Sequence, residues 1–349
     1  MDQRQLKIIG GKKLSGGSIS IAGSSNQVTK CIIASLLTDE EVRIKGAPDV
    51  DERRIVQDLY KYLGGEIEHL GPEEFSLSSK NVAVKEISEE LCSKNRISVL
   101  AAGPLLHRFG KVSFYGVLGG DKIGKRPVNY HIKALEQMGA HVEREGNQYM
   151  LSVGPEGLHG AQISLPFPSV MTTENILIAA SRARGRTIIE NAAIEPEILE
   201  LCKMLQKMGA NITQRPNRTF VIEGVKKLKG CEVRCMFDRN QAVSFALAAL
   251  STGGDVLLEN VTHDPVYSFL NFIQRMGAEF TISSKGLFVK APPAGQLKGA
   301  HIEVEVHPGF MTDWQQPFMV LFTQAQGISL LHETVFEERL GYTKYLNEM

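Results

Sequence analysis

The sequence is short of several things, and each shortage closes off a class of function. It has no surplus of either charge: lysine plus arginine number 39, and aspartate plus glutamate also 39. A protein that grips nucleic acid through its phosphates carries a basic excess, so no nucleic-acid partner is expected. A local anion pocket stays open. Long apolar runs are missing, and none approaches the length that crosses a bilayer, so no membrane partner is expected either. The amino-terminal stretch MDQRQLKIIGGKK has neither a long apolar segment nor a signal-peptidase site. Cysteine occurs only at Cys31, Cys92, Cys202, Cys231 and Cys235, an odd number with no CxxC pair. That argues against a disulfide frame and points to reduced thiols and a cytoplasmic protein. Cys231 and Cys235, in CEVRC, read as the start of a strand, and no metal pair is expected there, because a closed metal site wants four ligands. None of the nine histidines forms HExxH, and no metal is expected.

What remains is ordinary for a globular protein: 43% apolar and 22% charged residues. A chain of 349 residues is long for one core, so two domains are expected.

The chain also repeats itself. YLGGEIE, QMGAHVE, KMGANIT and RMGAEFT place glycines at Gly64, Gly139, Gly209 and Gly277, at a period of roughly 70 residues. Each glycine ends a helical pattern with apolar residues at three- and four-residue steps, as a C-terminal cap would. Each is followed by alternating strands around a turn signal: GPEE, EGNQ, RPNR and SSKG. Upstream lie a further strand, helix and strand, so the unit reads βαβαββ. The second copy departs by carrying a glycine-rich loop before its second helix. One such unit cannot cover its own apolar faces, so several must pack together. A fifth copy begins at AHIEVEVHPGF and stops at Met349, where a capping glycine is next expected. The expectation is a fragment or an early stop, with the second domain incomplete.

The loop GVLGGDKIGKRPVNYH, from Gly116 to His131, contains GxxxxGK, the front half of a Walker A signature. Arg126 and Pro127 then stand where that signature needs a magnesium-binding hydroxyl, which argues against a nucleoside triphosphatase. Pro127 suits the first position of a helix, and Arg126 can fork onto a phosphate or carboxylate. An anion loop before a helix is one reading, and a solvated glycine turn is the other.

GGDKIGKRPVNYH closely resembles the corresponding loop of the enolpyruvyl transferases that act on UDP-N-acetylglucosamine. The resemblance runs the length of the chain, through GSSNQVTKCIIASLL, NRISVLAAGPLLHRFG, RTIIENAAIEPEILEL, MFDRNQA, HPGFMTDWQQPF and ETVFEERL. It implies an α/β fold of two inside-out α/β barrels built from βαβαββ units, with the active site between them. The domains would be 22–235, holding three units, and 1–21 plus 236–349. It implies transfer of the enolpyruvyl group of phosphoenolpyruvate to the 3-hydroxyl of UDP-N-acetylglucosamine, with release of phosphate. This is the first committed step of peptidoglycan synthesis, and it needs no cofactor.

The resemblance also assigns roles. Asp121 takes the proton-donor place, usually a cysteine. Arg126 meets phosphoenolpyruvate, as do Ser25 and Asn26. Arg96, the stretch Arg126, Pro127, Val128, Asn129 and Tyr130, and the stretch Phe167, Pro168, Ser169 and Val170 contact the nucleotide sugar. Asp313, with Val335, lies at the sugar, and Asp313 is the candidate base. Arg339 falls near the substrate. On its residue type alone, Asp313 reads better as a helix cap or a solvated loop acid, and only the resemblance reverses that.

Three departures set this chain apart. Ser25 and Phe167 stand where the family has lysines, and a distal arginine belongs to a sixth unit beyond Met349. Each lost charge-assisted contact is worth roughly a hundredfold or more in rate, so the alternative reading is a non-catalytic binder of a UDP-sugar. Asp121 raises its own question. A free aspartate has a pKa of about 3.9, and Lys122, Lys125 and Arg126 would lower it further. It becomes a competent acid only if the bound anion and closure of the loop offset those cations.

Overall fold

The computed structural model describes Lys7, residues 9–116, Gly119 and residues 128–349. The repeats appear as expected. The first copy runs β1 (Gly17–Ser20), α1 (Ser25–Ser35), β2 (Val42–Lys45), α2 (Asp51–Tyr62) and the hairpin β3 (Glu66–Gly71) with β4 (Glu74–Ser78). The second runs α3 (Glu89–Lys94), a 3-10 turn (Arg96–Ala101), α4 (Ala102–Phe109), β5 (Lys111–Tyr115), α5 (Asn129–Gln137), β6 (His141–Glu145) and β7 (Gln148–Ser152). The third runs β8 (Gln162–Ser164), α6 (Val170–Ala180), β9 (Arg186–Glu190), α7 (Pro196–Lys207), β10 (Asn211–Arg215) and β11 (Thr219–Glu223). The fourth runs β12 (Cys231–Arg234), α8 (Arg239–Ser251), β13 (Asp255–Glu259), α9 (Tyr267–Arg275), β14 (Glu279–Ser283) and β15 (Gly286–Lys290). The fifth has β16 (His301–Glu303), a 3-10 turn (Thr312–Trp314), α10 (Gln315–Phe322), β17 (Leu330–His332) and α11 (Thr343–Glu348).

The four repeat glycines have φ of 98°, 94°, 104° and 98°. A side chain is strained in that left-handed region, which is why the same residue recurs at each helix end. The second copy differs from the expected unit in two further ways. Its first strand shrinks to one parallel bridge, Glu86 with Ser113. Its first helix is broken at Asn95, which is extended (φ −154°, ψ 147°) and accepts the Ile97 N–H at 2.6 Å through its side chain. At Gly103 the resumed helix, α4, presses on α6: a Cβ there would lie 2.8 Å from that of Ala179.

The chain divides into two compact units, Ala22–Met236 and Met1–Ile21 with Phe237–Met349. In the first, the sheets run β12-β2-β4-β3, β5-β7-β6 and β10-β11-β9-β8. In the second they run β1-β13-β15-β14 and β16-β17. Two strands have changed places. β1, which opens the first copy, pairs in parallel with β13, and β12, which opens the fourth, pairs in parallel with β2.

α1 and α6 are buried on every side, which favours apolar residues all round. The outer helices α2, α7 and α9 are amphipathic instead, with exposed charged faces. In the second unit the core contains an aromatic cluster. Phe269, Phe310, Trp314 and Phe318 meet edge to face at centroid distances of 5.1–6.3 Å, and Trp314 is 1% exposed.

Candidate active site

Three of the residues expected to do chemistry or hold substrate, Asp121, Arg126 and Pro127, lie outside the described residues. The described ones fall into a group in each unit.

In the unit of residues 22–236, the candidates sit at the starts of helices. Ser24 caps α1 by accepting the Gln27 N–H at 3.4 Å, and Ser25 and Asn26 form the first turn behind it. Ser169 caps α6 in the same way through Thr172, with Phe167 and Pro168 just before it and Val170 just after. Phe167 is 39% exposed. Val128 is buried, and Asn129 and Tyr130 open α5. Arg96 opens the 3-10 turn, which packs against both α1 and α6, while α5 packs against α6. The positive ends of such helices favour anionic groups.

His131 was not anticipated as a site residue, although it ends the loop motif. Its ring is 4% exposed and its Nδ1 has no hydrogen-bond partner. Burial, with the Arg96 charge adding to it, pushes it down to about 3, so the imidazole is neutral at physiological pH. The Arg96 charge thus acts on the start of α5, and the turn that carries Arg96 packs, like α5, against α6. On α6, Glu174 is 1% exposed and its Oε2 lacks a partner. Burial pushes its carboxyl up to about 7, against the pull of Lys30.

In the other unit the anchors are Asp313 and Arg339, which form an ion pair. A guanidinium nitrogen of Arg339 donates to Asp313 Oδ1 at 2.5 Å. Their side chains are 31% and 9% exposed, so the cation is held in the fold while the carboxylate reaches solvent. The second oxygen, Oδ2, accepts from Asn240 Nδ2 at a longer 3.3 Å. Each carboxylate oxygen has two lone pairs, so Oδ2 keeps capacity for another donor.

Val335 is set in place by Glu333. One oxygen of that carboxylate accepts the backbone N–H groups of Val335 and Phe336 at 2.7 and 3.1 Å. The other accepts from Thr312 Oγ1 at 2.7 Å and Gln315 Nε2 at 3.0 Å. Gln315 in turn accepts the Tyr342 hydroxyl at 2.8 Å. Burial and the neighbouring Glu333 push that phenol up to about 12, so it stays protonated and donating. Glu333 therefore ties the segment carrying Val335 and Arg339 to the turn carrying Asp313. A partly exposed carboxylate oxygen with spare acceptor capacity can take a proton from a hydroxyl placed against it.

Among the described residues no group of three or more metal-ligating side chains occurs, and no helix is long and apolar enough to cross a membrane. All five cysteines are free, and Cys31, Cys92, Cys202 and Cys235 are buried.

Comparison with known proteins places this arrangement. The profile of the EPSP synthase (3-phosphoshikimate 1-carboxyvinyltransferase) family matches residues 8–349. The UDP-N-acetylglucosamine 1-carboxyvinyltransferase of Chlamydia abortus is 40% identical over 347 residues, covering 98% of this chain and 77% of the relative. That of Protochlamydia amoebophila is 41% identical over 352 residues, covering 99% of this chain and 74% of the relative. The crystal structure of the enolpyruvyl transferase NikO from Streptomyces tendae matches with a TM-score of 0.84 at 16% identity, over 97% of this chain and 79% of that one. At that identity the match speaks to the fold alone, and the fold is that of an enolpyruvyl transferase. The chain belongs to the EPSP synthase family of enolpyruvyl transferases, and within it to the UDP-N-acetylglucosamine 1-carboxyvinyltransferases.

Proposed function

We propose the following reading of the site. The protein is an enolpyruvyl transferase that moves the enolpyruvyl group of phosphoenolpyruvate onto the 3-hydroxyl of UDP-N-acetylglucosamine, the first committed step of peptidoglycan synthesis. The observation that carries this is the 40% identity to a UDP-N-acetylglucosamine 1-carboxyvinyltransferase over 98% of the chain. The sugar oxygen adds to C2 of phosphoenolpyruvate as a proton is delivered to its methylene carbon, giving a tetrahedral adduct. Loss of phosphate and of a proton from the methyl group so formed then restores the double bond.

Asp313 takes the proton of the sugar hydroxyl through Oδ2. Asp121 delivers the proton to the methylene, and Arg126 holds the phosphate; both rest on the resemblance of the loop. Arg96, Val128–Tyr130 and Phe167–Val170 hold the nucleotide, a reading supported by the packing of the 3-10 turn and of α5 against α6. Ser25 contributes a hydroxyl at the start of α1 where relatives place a lysine, and Asn26 keeps its amide. The reaction runs in the cytoplasm, in keeping with five free cysteines.

The test is phosphate release from phosphoenolpyruvate with UDP-N-acetylglucosamine, compared with shikimate 3-phosphate. Release with the nucleotide sugar alone is expected. Asp313→Asn should lower turnover by roughly a hundredfold or more, the usual contribution of a general base. Binding of the nucleotide sugar without any release would overturn the reading in favour of a non-catalytic binder.

A further inference from the structure

The base proposed above is held from two sides, and only one of them is an ion pair. Opposite Arg339 stands Asn240, in the first turn of α8, and its amide bridges two groups. Nδ2 donates to Asp313 Oδ2 at 3.3 Å, while Oδ1 accepts from Trp314 Nε1 at 3.0 Å. An indole N–H can only donate. It therefore admits only the carbonyl end of the amide, and the NH2 end is left facing Asp313. The tryptophan cannot turn away to release that constraint. It is 1% exposed and caged by Phe310 and Phe269 at 5.7 and 6.3 Å, with the Arg239 guanidinium over its ring at 5.8 Å. Asn240 is fixed in its turn by α8, whose first N–H groups are capped by Asp238, including that of Asn240 at 2.9 Å.

We propose that Asn240, its amide orientation set by the Trp314 indole, is a positioning residue that aims Asp313 Oδ2 at the sugar hydroxyl. The inference rests on Asp313 being the base. An ion pair through Oδ1 alone would leave the carboxylate free to swing about its own axis. The second contact, from a neutral donor, stops that rotation without adding another cation. Its length leaves Oδ2 able to accept from a substrate. The charged groups around the carboxylate are Arg339 on the segment after β17, Arg239 on α8 beyond the indole, and Glu333 on the far side of Thr312 and Gln315.

Two substitutions test this, read by steady-state phosphate release over a range of pH. Trp314→Phe keeps the aromatic cage and removes only the donor, so the amide loses its preferred orientation. It should lower kcat by roughly ten- to a hundredfold with KM for UDP-N-acetylglucosamine little changed. Asn240→Asp replaces the neutral donor with a second carboxylate. Beyond lowering kcat, it should move the acid limb of the kcat profile to higher pH, because a like charge favours protonation of Asp313. A purely structural contact would change melting temperature and leave that limb in place. Wild-type kcat and an unmoved limb in both variants, with Asp313→Asn inactive, would overturn the positioning role while the base reading stands. An active Asp313→Asn enzyme would overturn both. If Asn240→Asp fails to fold, Trp314→Phe alone decides: an unchanged kcat refutes the proposal.

Discussion

At the scale of single residues, this fold buries ionisable groups with opposite consequences. Glu174 is raised to about 7 by burial, so between pH 4.5 and 7 the folded state binds the extra proton. Stability then falls as pH rises through that window. His131, lowered to about 3, and His107, lowered to about 4 by its own burial, act the other way. There the unfolded state binds more protons, and stability is lost as pH falls below about 6.5. Denaturant melts of Glu174→Gln should show its stability relative to wild type increasing from pH 4.5 to 7; a flat difference would contradict the assignment. The thiols yield a second expectation. Burial pushes Cys202 and Cys235 up to about 12, and it raises Cys31 and Cys92 as well. With Asp121 in the loop, no activated thiolate is offered to an electrophile. Epoxide inactivators of this family should leave turnover intact after an incubation that silences a cysteine-bearing relative, and rapid stoichiometric labelling at Asp121 would refute this. Among the proposed site residues, Asp313 was legible only because a whole motif surrounds it. Asn240 was not, because an asparagine at the start of a helix is ordinary and its partner lies 73 residues away.

At the scale of elements, the repeat was the most legible feature, because glycine at a left-handed cap is a local, backbone-level requirement. Gly209 shows how local it is: no atom lies within 4 Å of a Cβ built there, yet φ is 104°. The broken first helix of the second copy was less legible. NRISVLAAGPLLHRFG has helical spacing, and the break turns on one extended residue, Asn95, supplying its own hydrogen bond. Least visible was the segment around Glu333, whose four acceptor bonds link residues 18–21 positions apart as well as near neighbours. Glu333→Gln should disturb it. An amide has one acceptor oxygen, and its NH2 would face donors, at a cost of about 1–3 kcal/mol per contact left unmade. The expected outcome is a raised KM for UDP-N-acetylglucosamine and faster amide exchange over residues 333–339, with β13–β15 unaffected. Unchanged exchange there would show that the segment is held by other means.

At the scale of the molecule, the exchanged strands decide what each unit depends on. β1 covers one edge of β13 along four residue pairs, and Gly16 N–H is accepted by Asp255 at 2.6 Å. A chain lacking residues 1–21 should lose exchange protection in β13 and β15 while β2 and β4 keep theirs; equal loss in both would mean the two sheets unfold together. The same pairing has a consequence in time. Gly16 and Asp255 are 239 residues apart, and Thr38 and Leu228, which flank the other exchange, are 190 apart. On a ribosome adding about 5–20 residues per second, β1 waits roughly ten to fifty seconds for its partner. During that interval β2 also presents a bare edge, since β12 has not yet been made, and bare edges recruit foreign strands. The arrangement makes the nascent chain a natural client for holding chaperones, and synthesis rate rather than final stability should govern how much of it reaches the folded state.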